Sequence, residues 1–570
     1  MSASAATRTY VSADLDPADL DQVRRLYQEL LARPIASGRD LEKWLLDLSE
    51  TDSVIDEYGS RRYIDKSCHT DDERIEKAYL HYVEQIEPAV KPLMFRLKRK
   101  FIDSPHRGEL AEERYRILER HWRADVELFR DENVPLETEV ARLCNEYHKL
   151  CGAMTVSVRG QEYTLQQAGR FLEEPDRALR QEAWEAVARR RLADRDRLDD
   201  LFDRLLDLRG RIATNAGMGN YRAYVWKAYK RFDYSPVDAL RFADAIAATC
   251  VPLIDEIDRQ RREDLSLPAL RPWDMAVDPK GRPALRPFAQ ERIDDFVQNV
   301  GAIVGRLSGD LAADFQSLRD NRNLDLDSRK GKQPGGYQQT LQESRQPFIF
   351  MNAAGLQRDV ETLLHEGGHA FHCLAARSEP LVFLRSAPME FCEVASMTME
   401  LLGSDHLGVF YNEADAARAK RGLFEGIIRL FPWIATIDSF QHWLYTHPGH
   451  SRQQRQEQWL RLVDRFSAKL DWTGHEAVRQ SLWHRQLHLF EVPFYYIEYG
   501  IAQLGALQVW AKSRQDPQRA LANYRAALAL GGTRPLPELF WAAGARFDFS
   551  EQTLRPLMGA VREELAQLPR

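Results

Sequence analysis

The chain has 570 residues and a formal net charge of −7, from 79 basic and 86 acidic side chains. That length exceeds one small core and predicts two or more lobes, while so mild a charge argues against a nucleic-acid surface. No apolar run approaches a membrane span and residues 1–8 lack the hydrophobic core of a secretory signal, so the cytoplasm is the expected compartment.

Taken in chain order, the pattern is mostly α-helical. Residues 109–130 carry Leu110, Tyr115, Leu118, Trp122, Val126 and Phe129 close to a 3.6-residue period, which predicts an amphipathic helix. Residues 154–165 alternate around Arg159-Gly160 and predict one β-hairpin. From Arg177 to Ile212 a long helix is expected, with Arg189, Arg190 and Arg191 balanced by Asp194, Asp196, Asp199 and Asp200 on solvated faces. The proline-rich stretch 266–287 interrupts the helices. It divides the expectation into an N-terminal helical lobe, 1–265, and a catalytic domain, 266–570. The six cysteines are scattered rather than spaced as a disulfide framework.

The segment before residue 360 reads as a substrate-holding region. Gly331–Tyr337, with three glycines and a proline, predicts a mobile loop able to close over a site, without the spacing of a phosphate-binding loop. Phe348–Asn352 is a short β-prone run of a size to be an edge strand, whose free backbone groups could pair with an extended peptide.

His365-Glu366-Gly367-Gly368-His369 carries the chemistry. Two histidines four apart on a helix face the same way and can share one Zn²⁺, and the glutamate between them sits where it can serve as base toward a water the metal polarises. Two consecutive glycines cost a helix about 1 kcal/mol each relative to alanine. They are expected either where another helix crosses closely or where a substrate backbone needs room, or both. A catalytic zinc needs a third protein ligand and an open position. The next helix, from Pro388 to Leu402, offers Glu390, Glu393 and Glu400. Glu393 and Glu400 share a face, the first assigned as ligand and the second as the acceptor that orients a ligand imidazole. Glu390, one turn earlier, is a rival that spacing alone leaves open. Farther on, residues 484–500 are dense in tyrosine and histidine, a composition suited either to aromatic packing or to stabilising a developing oxyanion.

The run Thr362–His372, with a further histidine at 372 and glutamates at 393 and 400, resembles the thimet oligopeptidase and oligoendopeptidase F family of zinc metallopeptidases. Residues 327–337 and 347–352 match as well. The resemblance is closest to the bacterial oligoendopeptidase branch and extends from about residue 110 to the C-terminus. It implies a two-lobed, mostly α-helical metallopeptidase with a deep central channel and a small β element beside the zinc helix. It also implies one Zn²⁺ per chain on His365, His369 and Glu393, with Glu366 as general base. His488 and Tyr499 are implied as leading oxyanion donors, with Tyr495 or Tyr496 as a further contact. The substrates implied are short unstructured peptides cut at internal bonds, with no nucleic-acid or membrane partner. Two other readings stay open at this level. An exopeptidase would need a fixed group for a terminal charge, which the sequence does not locate, and a non-catalytic peptide binder is opposed by the intact His365, Glu366, His369 and Glu393.

Overall fold

The computed structural model describes residues 8–569; residues 1–7, most of the stretch read for a signal core, lie outside the described residues. The architecture is mostly helical with two small sheets. No described helix is long and apolar enough to cross a membrane. The six cysteines are free thiols.

The first sheet is the expected hairpin. Strands β1 (Thr155–Val158) and β2 (Gln161–Thr164) pair antiparallel. Both turn residues, Arg159 and Gly160, have positive φ (50° and 78°), the mirror-image turn that matches strand twist. The expected helix at 109–130 runs Glu113–Leu128.

The long helix expected over 177–212 is two helices, Arg177–Ala193 and Arg195–Asn215. The break is Asp194, which leaves helical geometry and pairs with Arg190 and, at 3.5 Å, with Arg197. Nor are all its charges solvated. Asp199 is buried against His484 (3.2 Å) and Arg455 (3.6 Å), because the second helix lies inside the fold. The 266–287 stretch is irregular but firmly packed: Asp274, fully buried, binds Arg177 at 2.8 Å and Arg180 at 3.1 Å.

The second sheet positions the site. Strand β3 (Leu324–Asp327) runs parallel to β5 (Gln346–Ala353), and β4 (Tyr337–Leu341) runs antiparallel to it, giving the order β3-β5-β4. The expected edge strand Phe348–Asn352 is therefore the central strand. The continuous apolar run Phe348-Ile349-Phe350-Met351 belongs to a strand covered on both faces. The sheet's edges belong to β3 and β4, and β4 is the one beside the helix Gln357–Ala376. One face of β4 is closed by the helix Gly38–Cys68, where Leu341 and Phe350 pack on Ile64 and Cys68 and the Gln339 amide donates to Ser60 at 2.8 Å.

The glycine-rich loop is pinned rather than free to close. The Asn352 side chain donates to the carbonyls of Gln333 (2.7 Å) and Gly335 (2.9 Å). Thr70 N–H donates to the Gly331 carbonyl at 2.7 Å, and Gln333 N–H to that of Ser67 at 2.8 Å. Lys332 turns inward to Asp325 at 2.7 Å.

Apolar packing runs from Leu143 to Leu565, while a second cluster gathers Val23 to Trp122 with Leu381 and Leu384. The site lies in the larger cluster, on two helices that cross: Gln357–Ala376, hereafter the histidine helix, and Met389–Gly403, the glutamate helix.

Candidate metal centre

Gly368 sets the distance between these two helices. A Cβ there would lie 2.5 Å from the Ala395 carbonyl oxygen and 2.5 Å from Ser396 Cα, so only glycine allows the approach. At Gly367 the nearest groups stand 3.8 Å away, on Phe371 of the same helix. The glycine pair thus divides the two expectations, with Gly368 serving the crossing and Gly367 leaving room.

The crossing brings together His365, His369 and Glu393, whose ligand atoms all lie within 4.8 Å of one another. Glu393 Oε2 is 3.4 Å from His365 Nε2 and 3.6 Å from His369 Nε2. Donors bound at about 2.0–2.1 Å in a tetrahedral zinc site stand about 3.3–3.4 Å apart, so the donor set fits the ion. Glu400 accepts from His365 Nδ1 at 2.6 Å, leaving Nε2 to face the site, and the Ser396 hydroxyl donates to Glu393 Oε2 at 3.0 Å. The rival Glu390 is engaged elsewhere, accepting from the Tyr234 hydroxyl at 2.8 Å with Arg231 3.8 Å away.

Electrostatics follow from this crowding. Burial pushes the Glu366 carboxyl up to about 7; His365 and a backbone hydrogen bond from Gln338 of β4 oppose the rise, and the Glu393 charge adds to it. Burial lowers His369 to about 4. His365 goes the other way, because its bonds to Glu393 and Glu400 outweigh burial.

The tyrosine segment reaches the same place from a different direction. The helix Ile497–Ser513 packs along the glutamate helix and carries Tyr499 near its start. The His488 ring lies 4.7 Å from Tyr496 and 6.0 Å from Tyr499, and Tyr495 lies 5.5 Å from Tyr499. The Tyr495 and Tyr499 hydroxyls share a hydrogen bond, and burial raises the pKa of both; Tyr499 and then the Glu393 charge add to the rise at Tyr495, and the Glu393 charge adds to it at Tyr499. His488 Nδ1 is bonded to the Gln486 amide at 2.7 Å, which in turn accepts from Trp433 Nε1 at 3.1 Å. The aromatic cluster is thus coupled to the ligand set through Tyr495 and Tyr499, both of which feel the Glu393 charge, while His488 and Tyr496 pack against those tyrosines.

Family models match along nearly the whole chain, with the description Peptidase family M3 over residues 170–299 and 312–558 and Peptidase M3 N-terminal domain over 13–129. The chain belongs to peptidase family M3. Within it, the oligoendopeptidase branch is the relevant one. An oligoendopeptidase F homologue of Mycoplasma pneumoniae is 22% identical over 292 residues, an alignment spanning 48% of this M3 chain and 46% of that protein. An X-ray structure bearing the name oligoendopeptidase F superposes with a TM-score of 0.88 at 27% identity, over 98% of this chain and 99% of that one. PZ peptidase A, solved with an inhibitor, gives 0.88 at 25% identity over the same shares.

Sequence reading missed several residues that shape this M3 site. Gln338, the edge-strand residue against Glu366, lies in an alternating stretch between the turns at Gly335-Gly336 and Arg345, which was a readable strand signal. Arg231 and Gln441, which hold the tyrosine segment, left none.

Proposed function

We propose that this chain is a zinc-dependent oligoendopeptidase that hydrolyses internal bonds of short unstructured peptides. The convergence of His365, His369 and Glu393 donors at zinc spacing carries the reading. These three residues would hold one Zn²⁺, which when bound supplies a Lewis acid that brings the pKa of a water to near 7. Glu366, poised near neutrality beside them, takes a proton from that water and delivers it to the leaving amine. Tyr499, His488 and either Tyr495 or Tyr496 donate toward the oxygen on which charge develops. The free edge of β4 takes the substrate backbone as an added strand, the part first assigned to Phe348–Asn352. Residues 1–265 and 266–570 are proposed as the two walls of a channel over this point, and the cytoplasm as its compartment.

Glu366→Gln should retain zinc while turnover falls by roughly 10²–10⁴, whereas Glu393→Ala should lose or weaken zinc binding. Metal analysis and single-peptide kinetics on both variants separate the roles, and near-normal turnover in Glu366→Gln would sink the mechanism. In the same assay a short fluorogenic peptide should be cut and casein spared. Rapid casein degradation would rule out an enclosed channel.

A further inference from the structure

A pocket of about 90 Å³ opens beside the metal-ligand cluster and shares His369 with it. The even-numbered face of the edge strand, Gln338 and Thr340, forms one side, followed by Gln342. The opposite side holds His372, Cys373 and Cys392. Around these stand three arginines, Arg345, Arg377 and Arg385, and no aspartate or glutamate lines the space.

Positive charge gathered around a space that no carboxylate lines attracts an anion. None of the three arginines forms an ion pair within 4.0 Å among the described residues; Asp314 acts on Arg377, and Glu379 and Asp56 on Arg385, only through space, and the acidic residues nearest in sequence are taken. Glu343 binds Arg8 at 2.6 Å and Glu379 binds Arg114 at 3.0 Å. Arg385 spends its donors on the Glu379, Pro380 and Gln342 carbonyls, so its charge reaches the pocket while its position is fixed. Arg345 gives Nη1 to the Arg377 carbonyl at 2.7 Å, and its Nε is buried without a partner. His372 is 5% exposed, and its Nε2 is likewise buried and unpartnered. Arg377 is exposed at the end of the histidine helix, with its guanidinium bound to nothing described. Burial first, and then the neighbouring Arg345, pulls Arg385 down to about 10 against the opposing charges of Glu379 and Asp56.

We propose that this pocket is a carboxylate subsite: it binds a carboxylate of the peptide substrate, with Arg377 and Arg345 as the donating pair and Arg385 as fixed background charge. The inference rests on the peptidase reading above and adds a preference to it. A peptide laid along β4 passes the even face of that strand, so the carboxylate belongs either to an acidic side chain near the scissile bond or to the peptide's own C-terminus. Both sources present the same planar anion, and arginine recognises it through paired N–H donors.

The test is a set of short peptides sharing one cleavable core. One series carries glutamate or glutamine at each position flanking the scissile bond; the other ends in a free carboxylate or an amide. Each charge-assisted contact of this kind is worth about tenfold or more, so kcat/KM should favour the charged member at one position or at the terminus by at least that ratio. A gain with glutamate identifies a side-chain subsite, and a gain with the free terminus identifies capture of the C-terminal carboxylate. In Arg377→Gln the ratio should collapse toward one, and in Arg377→Glu it should invert. Cleavage of every peptide with equal kcat/KM would overturn this inference alone. Cleavage of none by zinc-loaded enzyme would overturn the peptidase reading and this inference together.

Discussion

The histidine and glutamate helices and the tyrosine segment pack together but are built in opposite ways. On the first pair everything is local: His365 and His369 are one turn apart, Glu393 and Glu400 two turns apart, and Gly368 fixes the crossing. The tyrosine segment has no such autonomy. His488 sits on a five-residue helix, Leu487–Glu491, and the chain then turns through Phe494 at φ 66° before Tyr499 enters the next helix. That left-handed turn is held from afar. Arg231 donates to the Phe494 carbonyl at 2.5 Å and to Glu498 at 2.7 Å, and the Gln441 side chain accepts from Phe494 N–H at 2.6 Å. A ligand set can be written in the period of a helix, whereas a donor set assembled by tertiary contact depends on residues from 53 to 263 positions away.

Breaking the remote support gives the largest expected effect. Arg231 is fully buried between Glu498 and Glu390, and Arg231→Met leaves two carboxylates without their cation at a cost of about 3–5 kcal/mol. Urea denaturation measures this, and a loss below 1 kcal/mol would mean the segment supports itself after all. Next comes Tyr499→Phe, which removes one donor and little volume. Its kcat should drop about 10²-fold with zinc content and unfolding midpoint unchanged. An unchanged kcat with a lower midpoint would make Tyr499 a packing residue. The smallest effect tests the local side of the contrast. Gly368→Ala forces a Cβ into the Ala395–Ser396 backbone and should cost about 1–3 kcal/mol, while Gly367→Ala should be neutral or stabilising by up to about 1 kcal/mol. Equal behaviour of the two variants would remove the crossing from the explanation of the glycine pair.

The same contrast explains what was legible in the sequence. The helical character, the β1–β2 hairpin and the His365–His369 pair could be read because each rests on contacts within a few residues. Glu393 could not be separated from Glu390 by spacing, since both lie on the same helix; the difference is that Tyr234 and Arg231 claim Glu390. Strand order was equally out of reach. Phe348–Asn352 is central because β3 and β4 arrive on either side of it, and only its unbroken apolar run hinted at cover on both faces. The break at Asp194 and the burial of Asp199 were hidden for a related reason, because a charge-laced helix shows solvated and ion-paired carboxylates with the same letters.

The contact at Gly368 has a further consequence for the proposed zinc site. In a zinc finger the ion is itself the source of folding energy, and chelation unfolds the domain. Here backbone rests on backbone where the two helices cross, and the surrounding apolar cluster holds them there. His365, His369 and Glu393 therefore already face one another on a finished scaffold, and Glu400 already holds the first imidazole in place. On the proposed zinc reading, loading would be an exchange reaction at a rigid chelate, its rate set by how fast the incoming ion sheds water rather than by a search among ligands, and the metal-free protein would keep its shape.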